Sequence, residues 1–170
     1  MSLHSNSNQG NMRSIKINVN GVDYERNVEP RLSLVDLIRN ELGLTGTHVG
    51  CEHGVCGACT ILFDGKPIRS CIMLAVQADS HSIQTVEHMS SGQTLHPIQQ
   101  AFWENFGLQC GFCTPGFLLT VQDLLSRIPN PTETEIRNEL SGNIGRCTGY
   151  QSIIDAVKQA SIYMNQTTQK

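Results

Sequence analysis

Seven cysteines stand in two groups along 170 residues. The first group reads Cys51-Glu52-His53-Gly54-Val55-Cys56-Gly57-Ala58-Cys59, and Cys71 follows after eleven intervening residues. This is C-x4-C-x2-C…C, the plant-type spacing for a 2Fe-2S cluster. Three thiolates from one loop must converge on a small inorganic core, so the backbone has to wind tightly. Gly50, Gly54 and Gly57 supply positions without a Cβ where positive φ and close approach to sulfur are tolerated. Zinc ribbons and fingers usually present two well-separated C-x2-4-C pairs instead. Disulfides would imply export, for which the chain carries no signal.

The second group is Cys110, Cys113 and Cys147. Cys110 and Cys113 form a C-x2-C pair ahead of one helical pattern, and Cys147 precedes another. Each of Cys113 and Cys147 is followed by threonine, in Cys113-Thr114-Pro115-Gly116 and Cys147-Thr148-Gly149-Tyr150. A threonine cap at a helix start would set each thiolate beside free backbone N–H groups, where the dipole favours negative charge. Three ligands are one short of the four that a 2Fe-2S cluster takes. From the residues alone, three buried free cysteines and a three-cysteine zinc site completed by His96 stay open beside the cluster.

The elements that must position these groups follow from periodicity. Ile15, Ile17 and Val19 alternate with polar residues, Asn20-Gly21 turns the chain, and Val22 and Tyr24 resume the alternation, which predicts a β-hairpin. Ser33 with Asp36 caps a short helix carrying Leu34, Leu37 and Ile38, stopped by Gly43. After the cysteine loop come a strand at 60–63, a turn at Asp64-Gly65, its partner at 66–68, and a last strand at 82–86. Residues 89–93 are small and polar and read as a linker.

Everything beyond the linker reads helical. Pro97 opens one helix, Thr114-Pro115 a second, the capping box Thr132-x-x-Glu135 a third, and a fourth runs from about Tyr150 with Ile153, Ile154, Val157 and Ala160 on one face. The fold class expected is α+β: an N-terminal sheet packed on one helix, then a C-terminal four-helix bundle. The boundaries expected are a disordered tail over 1–12, a 2Fe-2S domain over 13–88, a helical domain over 89–165 and a tail over 166–170.

The net charge of −3 comes without a Lys/Arg run, against nucleic acid or an anionic membrane surface as partner. No apolar run approaches the length of a membrane span. Residues 1–12 contain neither an apolar h-region nor a twin arginine, so a cytoplasmic protein is expected. No P-loop, G-x-G-x-x-G or acid/base array is present.

Residues 13–165 resemble the small iron–sulfur subunit of the molybdenum hydroxylases, the family of xanthine dehydrogenase, aldehyde oxidoreductase, carbon monoxide dehydrogenase and quinoline oxidoreductase. Three stretches carry the resemblance: Cys51 to Thr60 with Cys71, Gln109-Cys110-Gly111-Phe112-Cys113-Thr114-Pro115-Gly116, and Ser141-Gly142-Asn143 leading into Arg146-Cys147-Thr148-Gly149-Tyr150. It implies a β-grasp ferredoxin-like domain, two 2Fe-2S clusters, and an electron-transfer subunit without substrate chemistry of its own. The partners implied are a large molybdopterin-binding subunit and an FAD subunit or other acceptor. It also implies that Gln109 and Cys147 lie against the pterin. The family's last motif ordinarily reads Cys-Arg-Cys, whereas this chain has Gly145-Arg146-Cys147. Cys110, Cys113 and Cys147 are thus the retained ligands of the second cluster.

Overall fold

The computed structural model describes residues 11–90 and 92–168. Most of the N-terminal stretch expected as a tail lies outside these residues, as does the end of the C-terminal one.

Five strands form one mixed sheet in the order β2-β1-β5-β3-β4. Strands β1 (Arg13–Val19) and β2 (Val22–Val28) make the expected hairpin, with Val19 opposite Val22 across the turn. Asn20 (φ 56°) and Gly21 (φ 83°) both take the left-handed conformation that a two-residue hairpin turn needs. Strands β3 (Thr60–Phe63) and β4 (Lys66–Arg69) form the second hairpin. The short β5 (Ser82–Gln84) joins the two, parallel to β1 and antiparallel to β3.

Helix α1 (Leu34–Asp36) starts as predicted: the Ser33 hydroxyl accepts from the Asp36 N–H at 3.2 Å. It then widens into a π-helical turn, Leu37–Glu41, rather than continuing as α-helix. The Leu42 N–H reaches back five residues to the Leu37 carbonyl at 3.0 Å. Leu34, Leu37 and Ile38 nevertheless face Ile15, Ile17, Ile61 and Ile83 of the sheet, closing the first core.

The other four helices lie in the C-terminal half: α2 (Pro97–Glu104), α3 (Thr114–Arg127), α4 (Glu133–Leu140) and α5 (Gln151–Thr168). Helix α5 extends into the stretch expected as a tail. The capping box of α4 forms as read, with Thr132 Oγ1 accepting from the Glu135 N–H at 3.3 Å and Glu135 Oε2 accepting from the Thr132 N–H at 2.7 Å. Phe102, Phe117, Leu124, Ile136, Ile153 and Val157 build the second core.

The two cores meet at β3. Successive residues point to opposite faces of a strand, so Ile61 enters the sheet–helix core while Leu62 enters the helical one. Helix α3 packs against β3 and β4. The expected linker is anchored at its start, because Met89 is buried in the helical core. Among the described residues no helix is long and apolar enough to cross a membrane.

Candidate metal centres

All seven cysteines are free thiols. Three of the first four lie on a loop that leaves the π turn after α1, winds past Cys51, Cys56 and Cys59, and enters β3; the fourth, Cys71, follows β4. Glu52 (φ 58°), Gly54 (φ 83°) and Gly57 (φ 74°) take left-handed conformations within nine residues. Such density of positive φ lets the chain curl around a centre instead of extending past it. A Cβ on Gly50 would press on Cys56 Sγ at 3.1 Å, so its absence makes room at the sulfur.

The thiols stand in pairs. Cys51 Sγ receives the Cys56 N–H at 3.4 Å and interacts with the Cys56 side chain. Cys59 and Cys71 form the other pair, brought together by β3 and the 3-10 turn Ser70–Ile72 that follows β4. The Ser70 hydroxyl donates to the Cys59 carbonyl at 2.7 Å and fixes that turn. Two thiols on each of two metals is what a dinuclear cluster with four cysteine ligands requires. The donor set and its cradle therefore fit a 2Fe-2S group. Among the described residues no three His, Cys, Asp or Glu side chains are grouped as for a single metal ion.

The protonation states differ within the set. Backbone N–H donors, that of Cys56 foremost and His53 next, lower the Cys51 thiol to about 6. Burial pushes Cys71 the other way, to about 11, helped by Cys59 beside it. A thiolate at Cys71 thus needs a cation in contact, which a cluster iron supplies.

The second set comes together from two helix starts. Cys110 Sγ and Cys147 Sγ are 3.4 Å apart although 37 residues separate them in sequence. Cys113 lies near enough that the charges of both raise its pKa, after burial as the larger cause. Cys110 is lowered, chiefly by the Phe112 N–H. The threonines behave differently from expectation. Cys113 itself occupies the N-cap of α3 with no side-chain cap, and Thr114 is already helical. Thr148 Oγ1 accepts from the Tyr150 N–H at 3.3 Å, one residue before α5. Pro115 explains the first departure: its preset φ suits the first helical turn and it leaves no N–H there to satisfy.

Gly145 completes the pairing in outline. A Cβ at this residue would lie 2.7 Å from Cys113 Sγ, so position 145 stands to Cys113 as Cys147 stands to Cys110. Three thiols fit a 2Fe-2S group here, and the fourth corner has no protein sulfur. His96 is occupied elsewhere, its Nδ1 accepting from the Ile98 N–H at 3.3 Å at the start of α2. Gln109 and Cys147, expected at the pterin, are both exposed.

The motifs did not reveal how the two loops interlock. The Ile144 N–H donates to the Cys56 carbonyl at 2.8 Å. Asn143, 2% exposed, donates to the Gly57 carbonyl at 3.2 Å and accepts from Thr120 Oγ1 at 3.0 Å. Arg69 donates to Thr60 Oγ1 at 2.8 Å and to the Gly142 carbonyl at 2.6 Å. His48 stacks on Phe112 with ring centroids 4.8 Å apart and meets the Phe112 carbonyl through Nδ1 at 2.7 Å. A Cβ on Gly116 would fall well inside contact distance of the Gly57 carbonyl oxygen. The glycines at 57 and 116 were the available signal: each belongs to a cysteine motif, yet neither lies in a turn that explains both.

A sheet-based ferredoxin-like half with four thiols, locked to a helical half with three more, defines a two-centre iron–sulfur protein. Residues 17–87 match the family described as 2Fe-2S iron–sulfur cluster binding domain, and residues 85–158 match the [2Fe-2S] binding domain. The chain is 58% identical to caffeine dehydrogenase subunit gamma of Pseudomonas sp. strain CBB1, over 86% of this chain and 90% of that one. It is 53% identical to the nicotine 6-hydroxylase small subunit of Paenarthrobacter nicotinovorans, over 86% of this chain and 88% of the relative. Among solved structures, quinoline 2-oxidoreductase from Pseudomonas putida 86 aligns with a TM-score of 0.88 and 47% identity, covering 91% of this chain and 97% of that one. The chain belongs to the family of small iron–sulfur subunits of the molybdenum hydroxylases.

Proposed function

We propose that this chain is the electron-transfer subunit of a heteromeric molybdenum hydroxylase, carrying electrons from a molybdenum–pterin site on a large subunit towards FAD or another acceptor. Cys51, Cys56, Cys59 and Cys71 are the proposed ligands of one 2Fe-2S cluster; Cys110, Cys113 and Cys147 are those of the other. When bound, the clusters supply reversible one-electron redox chemistry. The chain's own part is to hold the two sites at a fixed separation and set their surroundings.

The observation that carries this reading is the interlock. A hydrogen bond from Ile144, the neighbour of Gly145, ends on the carbonyl of Cys56, so the two thiol sets communicate through backbone and one N–H···O contact. Buried Asn143 and the Gly57–Gly116 approach hold that contact rigid. The proposed order is pterin, second set, first set, acceptor. Gln109 and Cys147 are the proposed pterin neighbours on the exposed side of the second set. The four C-terminal helices act in this proposal as one bundle that presents both helix starts together. The divisions 13–88 and 89–165 are the proposed domains. Seven unpaired cysteines suit a reducing compartment, so the proposed setting is the cytoplasm.

Purification from the native host, followed by EPR of the dithionite-reduced material, tests the proposal. Copurification with a large molybdenum-containing subunit and two 2Fe-2S signals is the expected result. A monomer bearing clusters without a large partner would point to a free-standing carrier, and zinc without an iron signal would rule out both redox functions.

A further inference from the structure

Position 145 is where this chain departs from its family's pattern, and the surroundings of that position are specific. Gly145 is buried, and its N–H donates to the Tyr150 hydroxyl at 3.0 Å, so the loop backbone is held in place by a contact that needs no side chain at 145. The three atoms nearest a Cβ built there belong to Cys113 and Phe117 alone: Cys113 Sγ at 2.7 Å, Phe117 Cε2 at 3.4 Å and Cys113 Cβ at 3.6 Å. The atoms nearest that Cβ are thus a sulfur and an aromatic edge, and the Tyr150 hydroxyl beside them is engaged by the Gly145 N–H. Thr148, a possible substitute ligand by proximity in sequence, spends its hydroxyl on the Tyr150 N–H.

We infer that the second cluster of this chain is held by three protein sulfurs and keeps one exchangeable iron corner beside Cys113, at the side-chain position of residue 145, which takes a small thiolate from solution. The chemistry selects the ligand class. Iron–sulfur iron prefers soft thiolate donors, and beside the apolar edge of Phe117 the Tyr150 hydroxyl is already taken by the Gly145 N–H. Size selects the member: a cysteine side chain beyond Cα is one carbon and one sulfur, the outline of methanethiolate. Binding is ligand exchange, in which a solvent molecule leaves the iron as the thiolate arrives and no electron changes hands. This inference rests on the two-cluster reading above.

The test uses the purified complex in thiol-free buffer, reduced with dithionite and followed by EPR during titration with sodium methanethiolate, with methanol as the size-matched control. One of two 2Fe-2S signals should shift its g-values saturably and reversibly while the other stays fixed, and methanol should change neither. In Gly145→Cys that signal should already be shifted and no longer respond, and iron release to a chelator should slow by ~10-fold or more, as expected when a missing first- or outer-sphere partner is restored. A side chain at 145 and a thiolate bound in its place both require Cys113 to rotate away from the 2.7 Å contact, and the wild-type titration stands as the deciding arm should the variant fail to fold. Two signals that both ignore the thiolate would overturn the inference, because the corner would then be filled by protein. One signal with about two irons per chain would overturn it as well, while leaving the first cluster intact. Absence of any iron–sulfur signal would instead sink the two-cluster reading itself.

Discussion

The two thiol sets differ in what holds them. Cys51, Cys56 and Cys59 lie on one nine-residue loop wound by left-handed residues, and Cys71 is delivered by the hairpin that the same loop enters. The set is thus assembled by local chain geometry plus one strand pairing. Cys110, Cys113 and Cys147 instead reach one place only because the segments that lead into α3 and α5 meet. Loss of a ligand from the first set would leave a curled loop with nothing to curl around. Loss from the second leaves helices α2, α3 and α5 still packed through Phe102, Phe117, Ile153 and Val157. A glycine at position 145 is compatible with the fold because the core, and not the cluster, sets that half.

The sharpest way to break this comparison is to remove a ligand from the first set. Cys59→Ser should abolish one EPR signal, lower iron from about four to about two per chain, and stop reduction of the acceptor while the large subunit's chemistry survives. Survival of both signals would mean that Cys59 is not a ligand. Reactivity separates the thiols inside that set. In the iron-free chain at pH 7, Cys51, lowered to about 6, is mostly thiolate, whereas Cys71, raised to about 11, is almost entirely thiol. The lower intrinsic nucleophilicity of Cys51 offsets part of this gap, leaving alkylation on the order of 100-fold faster at Cys51. Raising the pH should close the difference at about pH 9 and reverse it towards pH 11, where the more basic Cys71 thiolate is the better nucleophile, and mass spectrometry of iodoacetamide-labelled peptides reads it directly.

The contact between the sets is tested by folding energetics. Gly116→Ala drives a methyl into the Gly57 carbonyl, a backbone atom with no rotamer to change, and should cost about 3 kcal/mol or more in chemical unfolding of the complex. Asn143→Ala removes a buried amide from the Gly57 carbonyl and from Thr120, with an expected cost of about 1–3 kcal/mol. A change in Asn143→Ala below a few tenths of a kcal/mol would mean that water replaces the amide and that the interlock is looser than its burial implies.

Much of the first set could be read from spacing alone, since C-x4-C-x2-C and three nearby glycines state their own geometry. The hairpins at Asn20-Gly21 and Asp64-Gly65 and the box Thr132–Glu135 were equally readable, because each is a local device with a fixed offset. Readings failed where a tertiary neighbour decided. The α1 pattern promised an ordinary helix, yet the chain widens into a π turn as it passes from the sheet core towards the cysteine loop. Thr114 looked like a cap, but Pro115 moved the helix start back to Cys113. Asn143, Gly57 and Gly116 act across 59 to 86 residues of sequence, and nothing in one chain pairs such positions in advance.

The approach of Gly116 to Gly57 has a consequence for how this protein can change over time. Main chain meets main chain there, so the gap between the two thiol sets is a backbone dimension. Substitutions elsewhere can recolour the surface, retune a partner's grip or alter the pocket of another subunit without touching that gap. Tunnelling rates fall steeply with distance, and a spacing limited by main chain against main chain is one that most mutational drift does not wear away.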